Sequence, residues 1–165
     1  MNDLAVILLV EDLQEDVTII RRSFQKAGLK NPVQVARDGE QAIAYLRGEG
    51  SYANRDEHPL PGLILLDLKM PKIDGFEVLE WIRSQPTLRA IPVLVLTSSE
   101  HMRDVNRAYD LGANSFLVKP LDFDNFVATS ALIEKYWLNA VQTPDSAERP
   151  ERQERWRGAR DGKRV

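Results

Sequence analysis

LILLDLKMPKIDGFEVL, residues 63–79, decides the fold. Leu63–Leu66 are aliphatic at every position, and the run ends on an acid, Asp67. A run without alternation reads as a strand buried on both faces, as in a parallel sheet. Phe76, Val78, Leu79 and Ile82 then recur at helical spacing, and Pro86 stops them. A strand followed by an amphipathic helix is one βα unit.

The same unit repeats outward. Apolar runs stand at Val6–Val10 (VILLV), Ile91–Leu96 (IPVLVL) and Phe116–Val118 (FLV), with a weaker one at Val33–Ala36. Between them lie four further helical faces. Val17, Ile20, Phe24 and Ala27 precede Gly28, and Ala42, Ile43, Tyr45 and Leu46 precede Gly48. Met102, Val105, Ala108 and Leu111 precede Gly112, and Phe123, Phe126, Val127, Ser130, Ile133 and Trp137 form the last and longest. Strand then helix, five times, predicts an α/β, doubly wound, five-stranded parallel sheet with five helices and right-handed crossovers.

The chain has 165 residues, 43% of them hydrophobic, which is enough for one packed domain. The expected domain is 1–141, followed by a charged tail, 142–165, with no output domain. The tail carries seven Lys/Arg and five Asp/Glu, is too short for a helix-turn-helix, and cannot form a core alone. A net charge of −3 gives no basic field for nucleic acid. The absence of cysteine removes thiolate chemistry and disulfides and fits a cytoplasmic protein. Leu4–Val10 has neither the flanks of a signal peptide nor the length of a membrane span. Residues 49–62 (EGSYANRDEHPLPG) read as a long surface loop.

The chemistry is read from where polar residues fall. Glu11 and Asp12 follow the first strand, Asp67 the third, Thr97 the fourth and Lys119 the fifth. In open α/β sheets ligands bind outside the carboxyl ends of the strands where the order reverses. An order of 2-1-3-4-5 sets the ends of strands one, three, four and five side by side. Three converging carboxylates repel unless a cation joins them, and Mg²⁺ prefers such oxygen ligands together with a phosphate. A lysine and a threonine complete a pocket for a phosphoryl dianion, and a carboxylate is an established phosphoryl acceptor. Each group alone has an ordinary reading as a cap or turn residue; four strand ends delivering one each do not. No GxxxxGK, GxGxxG or GxSxG occurs. His101 reads as a solvated helix-start residue and His58 as a loop residue.

At these residues the chain resembles the receiver domain of two-component response regulators. The matching segments are VILLVED (6–12), LILLDLKMPKIDGFEVL (63–79), IPVLVLTSS (91–99) and DLGANSFLVKP (110–120), together with the final helix. The 49–62 loop and the ending IEKYWLNAV (133–141) look most like single-domain receivers that pair with bacterial and cyanobacterial phytochrome histidine kinases. The resemblance implies Asp67 as phosphoacceptor and Mg²⁺ held by Asp12, Asp67 and the Lys69 carbonyl, with Glu11 acting through water. It implies phosphoryl contacts from Thr97 and Lys119, an aromatic switch at Phe116, and a cis bond before Pro120. It also implies a signalling switch, not a turnover enzyme, with a histidine kinase of the phytochrome type as partner. The cation Lys69 two residues after Asp67 departs from the commonest pattern.

Two other functions compete. A Mg²⁺-dependent phosphatase acting through Asp67 ordinarily shows a second acid at the position of Lys69. A receiver that only binds partners has no need of intact Asp12, Asp67, Thr97 and Lys119. Tyr136, Trp137 and Leu138 are three consecutive large side chains that one helix cannot bury together. One or more lie on a surface, covered either by the tail or by a partner, and the expectation is a homodimer, with Trp156 of the tail as a further anchor.

Overall fold

The computed structural model describes residues 4–142, and Trp156 and the tail from 143 onward lie outside them. The strands are β1 (Ile7–Val10), β2 (Val33–Ala36), β3 (Leu63–Leu66), β4 (Val93–Thr97) and β5 (Ser115–Val118). The helices are α1 (Gln14–Lys26), α2 (Gly39–Arg47), α3 (Gly75–Ser84), α4 (Met102–Asp110) and α5 (Phe123–Ile133). The sheet order is β2-β1-β3-β4-β5, every pairing parallel, as the alternating pattern predicts. No helix among the described residues is long and apolar enough to cross a membrane.

The aliphatic runs explain the layering. Leu8, Val10, Ile64, Leu66, Val93 and Val95 face one side, where Ala42, Tyr45, Leu46, Phe76, Leu79, Ile82 and Ala108 of α2, α3 and α4 cover them. Ile7, Leu9, Leu63, Leu65, Leu94 and Leu96 face the other, against Val17, Ile20 and Phe24 of α1 and Phe126 and Ile133 of α5. Each such side chain contributes about 1.5–3 kcal/mol on full burial, so β1, β3 and β4 are the anchor of the fold. The edge strands β2 and β5 are only half-buried, which is why their runs are weaker. Asp38, Asp74 and Asp122 cap α2, α3 and α5 through the Gln41, Glu77 and Asn125 N–H groups.

Two glycines are required by close approach. A Cβ at Gly75 would lie 2.1 Å from the Asp67 carbonyl oxygen, and one at Gly39 would lie 2.3 Å from that of Ile73. Gly75 lets α3 start against the strand end that bears Asp67. Between these glycines Lys72 sits at φ +67° and reaches Asp38 and Glu40 at 3.7 and 3.6 Å.

The 49–62 segment is more built than its polarity suggests. The Arg55 guanidinium donates to the Tyr45 and Leu46 carbonyls at 2.7 Å each and to that of His58 at 3.0 Å. It thereby satisfies the open carbonyl end of α2. Tyr52 and His58 close on Tyr45, with ring centroids 5.2–5.8 Å apart, and the Tyr45 hydroxyl donates to the Pro59 carbonyl at 2.7 Å.

The expected fifth helix also differs in form. The α-helix stops at Ile133, and Glu134–Ala140 continues as a π-helical turn.

Arg55→Ala removes three charge-assisted bonds to carbonyls. It is expected to cost about 2 kcal/mol in urea unfolding and to open residues 49–62 to limited proteolysis. An unchanged midpoint with an unchanged cleavage pattern would show the clasp to be idle.

Candidate functional site

The sheet's own hydrogen bonds set the height of each functional residue. The Asp67 N–H donates to the Val10 carbonyl at 3.0 Å, Glu11 N–H to Ala36 at 3.0 Å, and Lys119 N–H to Thr97 at 2.8 Å. These bonds carry the parallel ladder one residue past the strands. Glu11, Asp67, Thr97 and Lys119 therefore stand together at one edge, at the ends of β1, β3, β4 and β5.

Carboxylate oxygens of Glu11, Asp12 and Asp67 lie within 4.8 Å of one another. Glu11 and Asp67 are buried, and Asp12 is partly so. The Lys119 ammonium enters among them, 2.5 Å from Glu11 Oε2, 2.8 Å from Asp16 Oδ2 and 3.3 Å from Asp67 Oδ2. Burial, reinforced by the charge of Asp67 and opposed by the Lys119 hydrogen bond, pushes the Glu11 pKa up to about 7. Burial alone would lower the Lys119 pKa. Its bonds to Asp16 and Glu11 and the charges of Asp67 and Glu11 outweigh that and hold it well above the ordinary lysine value. The two shifts differ in cause: burial dominates at Glu11, whereas the surrounding carboxylates dominate at Lys119.

A divalent cation fits this arrangement. Asp12 Oδ1 is a buried acceptor with no hydrogen-bond partner among the described residues. An unmatched buried carboxylate oxygen beside two further carboxylates is the donor set that hard cations take.

The other expected residues are distributed around the cluster. Thr97 is fully buried, and its hydroxyl oxygen accepts the Ser99 N–H at 3.4 Å. The Lys69 N–H donates to Asp67 Oδ1 at 3.4 Å while its side chain is exposed. Phe116 is half-buried against the α2–α3–α4 layer, and its N–H donates to the Tyr109 hydroxyl at 3.2 Å. The expected cis bond at Pro120 is corrected: no peptide bond among the described residues is cis, so Lys119–Pro120 is trans. Trans is the intrinsically favoured form even before proline, and Lys119 reaches all three acids from it.

At the far end, Tyr136 is 59% exposed, while Trp137 and Leu138 pack partly against the α1–α5 layer. The Tyr136 and Trp137 rings meet edge to face at 5.3 Å and, with Leu117, Leu132 and Ile133, line an open apolar groove. His101 is exposed at the start of α4.

Sequence reasoning missed Asp16 and Tyr109. Asp16 lies on the first turn of α1, whose start faces the cluster, and its reach to Lys119 left no spacing signal. Tyr109 gave none beyond its place on α4.

A parallel sheet of this order with an acid triad and a lysine at its carboxyl edge defines a receiver. The chain belongs to the response regulator receiver domain family, whose model matches residues 7–131. It is 42% identical to the probable methanogenesis regulatory protein FilR2 of Methanothrix harundinacea, covering 88% of this chain and 92% of that protein. It is 39% identical to response regulator Rcp1 of Synechocystis sp., covering 87% of this chain and 95% of that protein. Rcp1 has been solved in a Mn²⁺-bound form, with a TM-score of 0.76 at 38% identity over 86% of this chain and 99% of that one. The phosphorylated cyanobacterial phytochrome response regulator RcpA gives a TM-score of 0.79 at 40% identity, with the same coverage. The protein is thus a receiver-domain response regulator of two-component signalling.

Cation binding must displace the proton that Glu11 holds near neutrality, so affinity rises with pH. Mn²⁺ titration calorimetry is expected to show about tenfold tighter binding at pH 8 than at pH 6. Asp12→Ala is expected to weaken binding at pH 8 by at least about tenfold. A flat pH profile, or full affinity in the variant, would remove the triad as the binding site.

Proposed function

We propose that Asp67 accepts a phosphoryl group from the phosphohistidine of a partner kinase of the phytochrome class, and that this changes how the chain pairs with itself. The observation that carries the reading is the convergence of two further acids, Glu11 and Asp12, and one buried ammonium on a single carboxylate, Asp67.

An Asp67 carboxylate oxygen attacks phosphorus in line with the leaving imidazole nitrogen. The P–O bond forms, the P–N bond breaks, and its electron pair leaves with the imidazole. The Asp12 and Asp67 carboxylates and the Lys69 carbonyl, with Glu11 through water, would hold Mg²⁺, whose charge offsets that of the transferring oxygens. Lys119 is already 3.3 Å from Asp67 and pairs with the phosphoryl group as it arrives. The Thr97 hydroxyl then turns from Ser99 toward the new oxygens. Phe116 moves into the space released, and the surface of α4, β5 and α5 repacks. The dianion biases that surface because it makes contacts in one arrangement that it lacks in the other.

Tyr136 and the adjoining groove supply the pairing surface, and aromatic anchors of this kind dominate association energies. The phytochrome pairing is supported by the likeness to the phytochrome response regulator RcpA over 86% of this chain. The absence of cysteine suits a cytoplasmic setting.

Light scattering with Mg²⁺ and beryllofluoride tests the switch. The expected result is a mimic-dependent rise from monomer to dimer that Asp67→Asn abolishes. Tyr136→Ala is expected to weaken the dimer at least about tenfold. A monomer throughout would sink the pairing, and a dimer insensitive to the mimic would separate it from phosphorylation.

A further inference from the structure

We propose that Asp16 is a positioning residue for phosphoryl transfer, its carboxylate holding the Lys119 ammonium over Asp67. The proposal rests on Asp67 being the acceptor.

An ammonium has three hydrogens, and Lys119 spends them on three acids from three elements. Glu11 comes from the end of β1, Asp67 from the end of β3, and Asp16 from the first turn of α1. The first two belong to the acid triad, so their partners change when the site is loaded. Asp16 lies outside the triad. It is the partner of Lys119 that loading leaves in place.

The contact is also directional. The Lys119 side chain is 9% exposed and that of Asp16 27%, so the pair is largely sheltered from screening. Such a charge-assisted bond at 2.8 Å is stronger than a surface ion pair. Lysine is a flexible four-carbon stem, and without an anchor its head is free to turn aside. With Asp16 fixed on α1, the head reaches Asp67 across the cluster. Acids in a helix's first turn ordinarily serve the helix dipole, a role that Glu15 beside it fills without touching the lysine.

The test is a double-mutant cycle on the full chain, with phosphoramidate and Mg²⁺. Phosphoramidate gives its phosphoryl to Asp67: the P–N bond breaks, its electron pair leaves on ammonia, and a P–O bond forms. Phosphoprotein is monitored on a phosphate-affinity gel. Asp16→Ala is expected to slow labelling about tenfold in the wild-type background and less than about twofold in Lys119→Ala. Mn²⁺ affinity is expected to change less than about twofold, because Asp16 is not in the triad. The isosteric Asp16→Asn keeps the fold if alanine does not, and is expected to slow labelling in the same lysine-dependent way.

Unchanged labelling in Asp16→Ala, or an equal loss with and without Lys119, would overturn the proposal. A matching fall in Mn²⁺ affinity would also overturn it, because it would mark a general loss of the site. A wild-type chain that takes no phosphoryl overturns the acceptor reading and the positioning role with it. Labelling that Asp67→Asn abolishes and Asp16→Ala leaves intact overturns the positioning role alone.

Discussion

One ammonium set among four carboxylates governs this molecule. Lys119 touches Glu11, Asp16 and Asp67, and Asp12 stands beside them with an unmatched oxygen. Like charges at this spacing are unfavourable unless something positive joins them, and one lysine cannot neutralise four acids. Burial, with the neighbouring charge of Asp67, pushes the Glu11 pKa up to about 7. The imbalance is what makes the edge receptive first to a divalent ion and then to a phosphoryl group that needs one.

Holding such a cluster together demands a rigid support. The three central strands are buried on both faces, and their hydrogen bonds continue into the acids and the lysine themselves. Gly75 brings α3 against the backbone of Asp67, and the Lys72 pairs pin the loop after it to the start of α2. The side opposite is looser, with β5 half-buried and Phe116 only partly covered. Stiffness at the acids and slack at β5 lie two strands apart, linked through Thr97.

The layers and strand order were legible because a doubly buried strand must be apolar throughout, and the runs at 6–10, 63–66 and 91–96 are. The acid triad and Lys119 were legible because they occupy strand ends, where position alone specifies proximity. Asp16 was not, because a side chain reaching across a sheet edge leaves no periodic trace. The Arg55 clasp was hidden in the same way: its partners are backbone carbonyls, which carry no residue identity. The cis bond expected at Pro120 came from resemblance, not from the residues, and there the bond is trans.

The π-helical turn after α5 has a wider consequence. The family model ends at residue 131, just before the backbone changes pitch. Such turns insert a residue into the helical count, so the segment beyond is rotated relative to the helix before it. Tyr136 and Trp137 lie within that turn, so its wider pitch sets their directions. Altering this turn would re-aim both rings while leaving the edge that carries Asp67 untouched. The outward aromatic face and the phosphoryl chemistry are thereby separable within one chain.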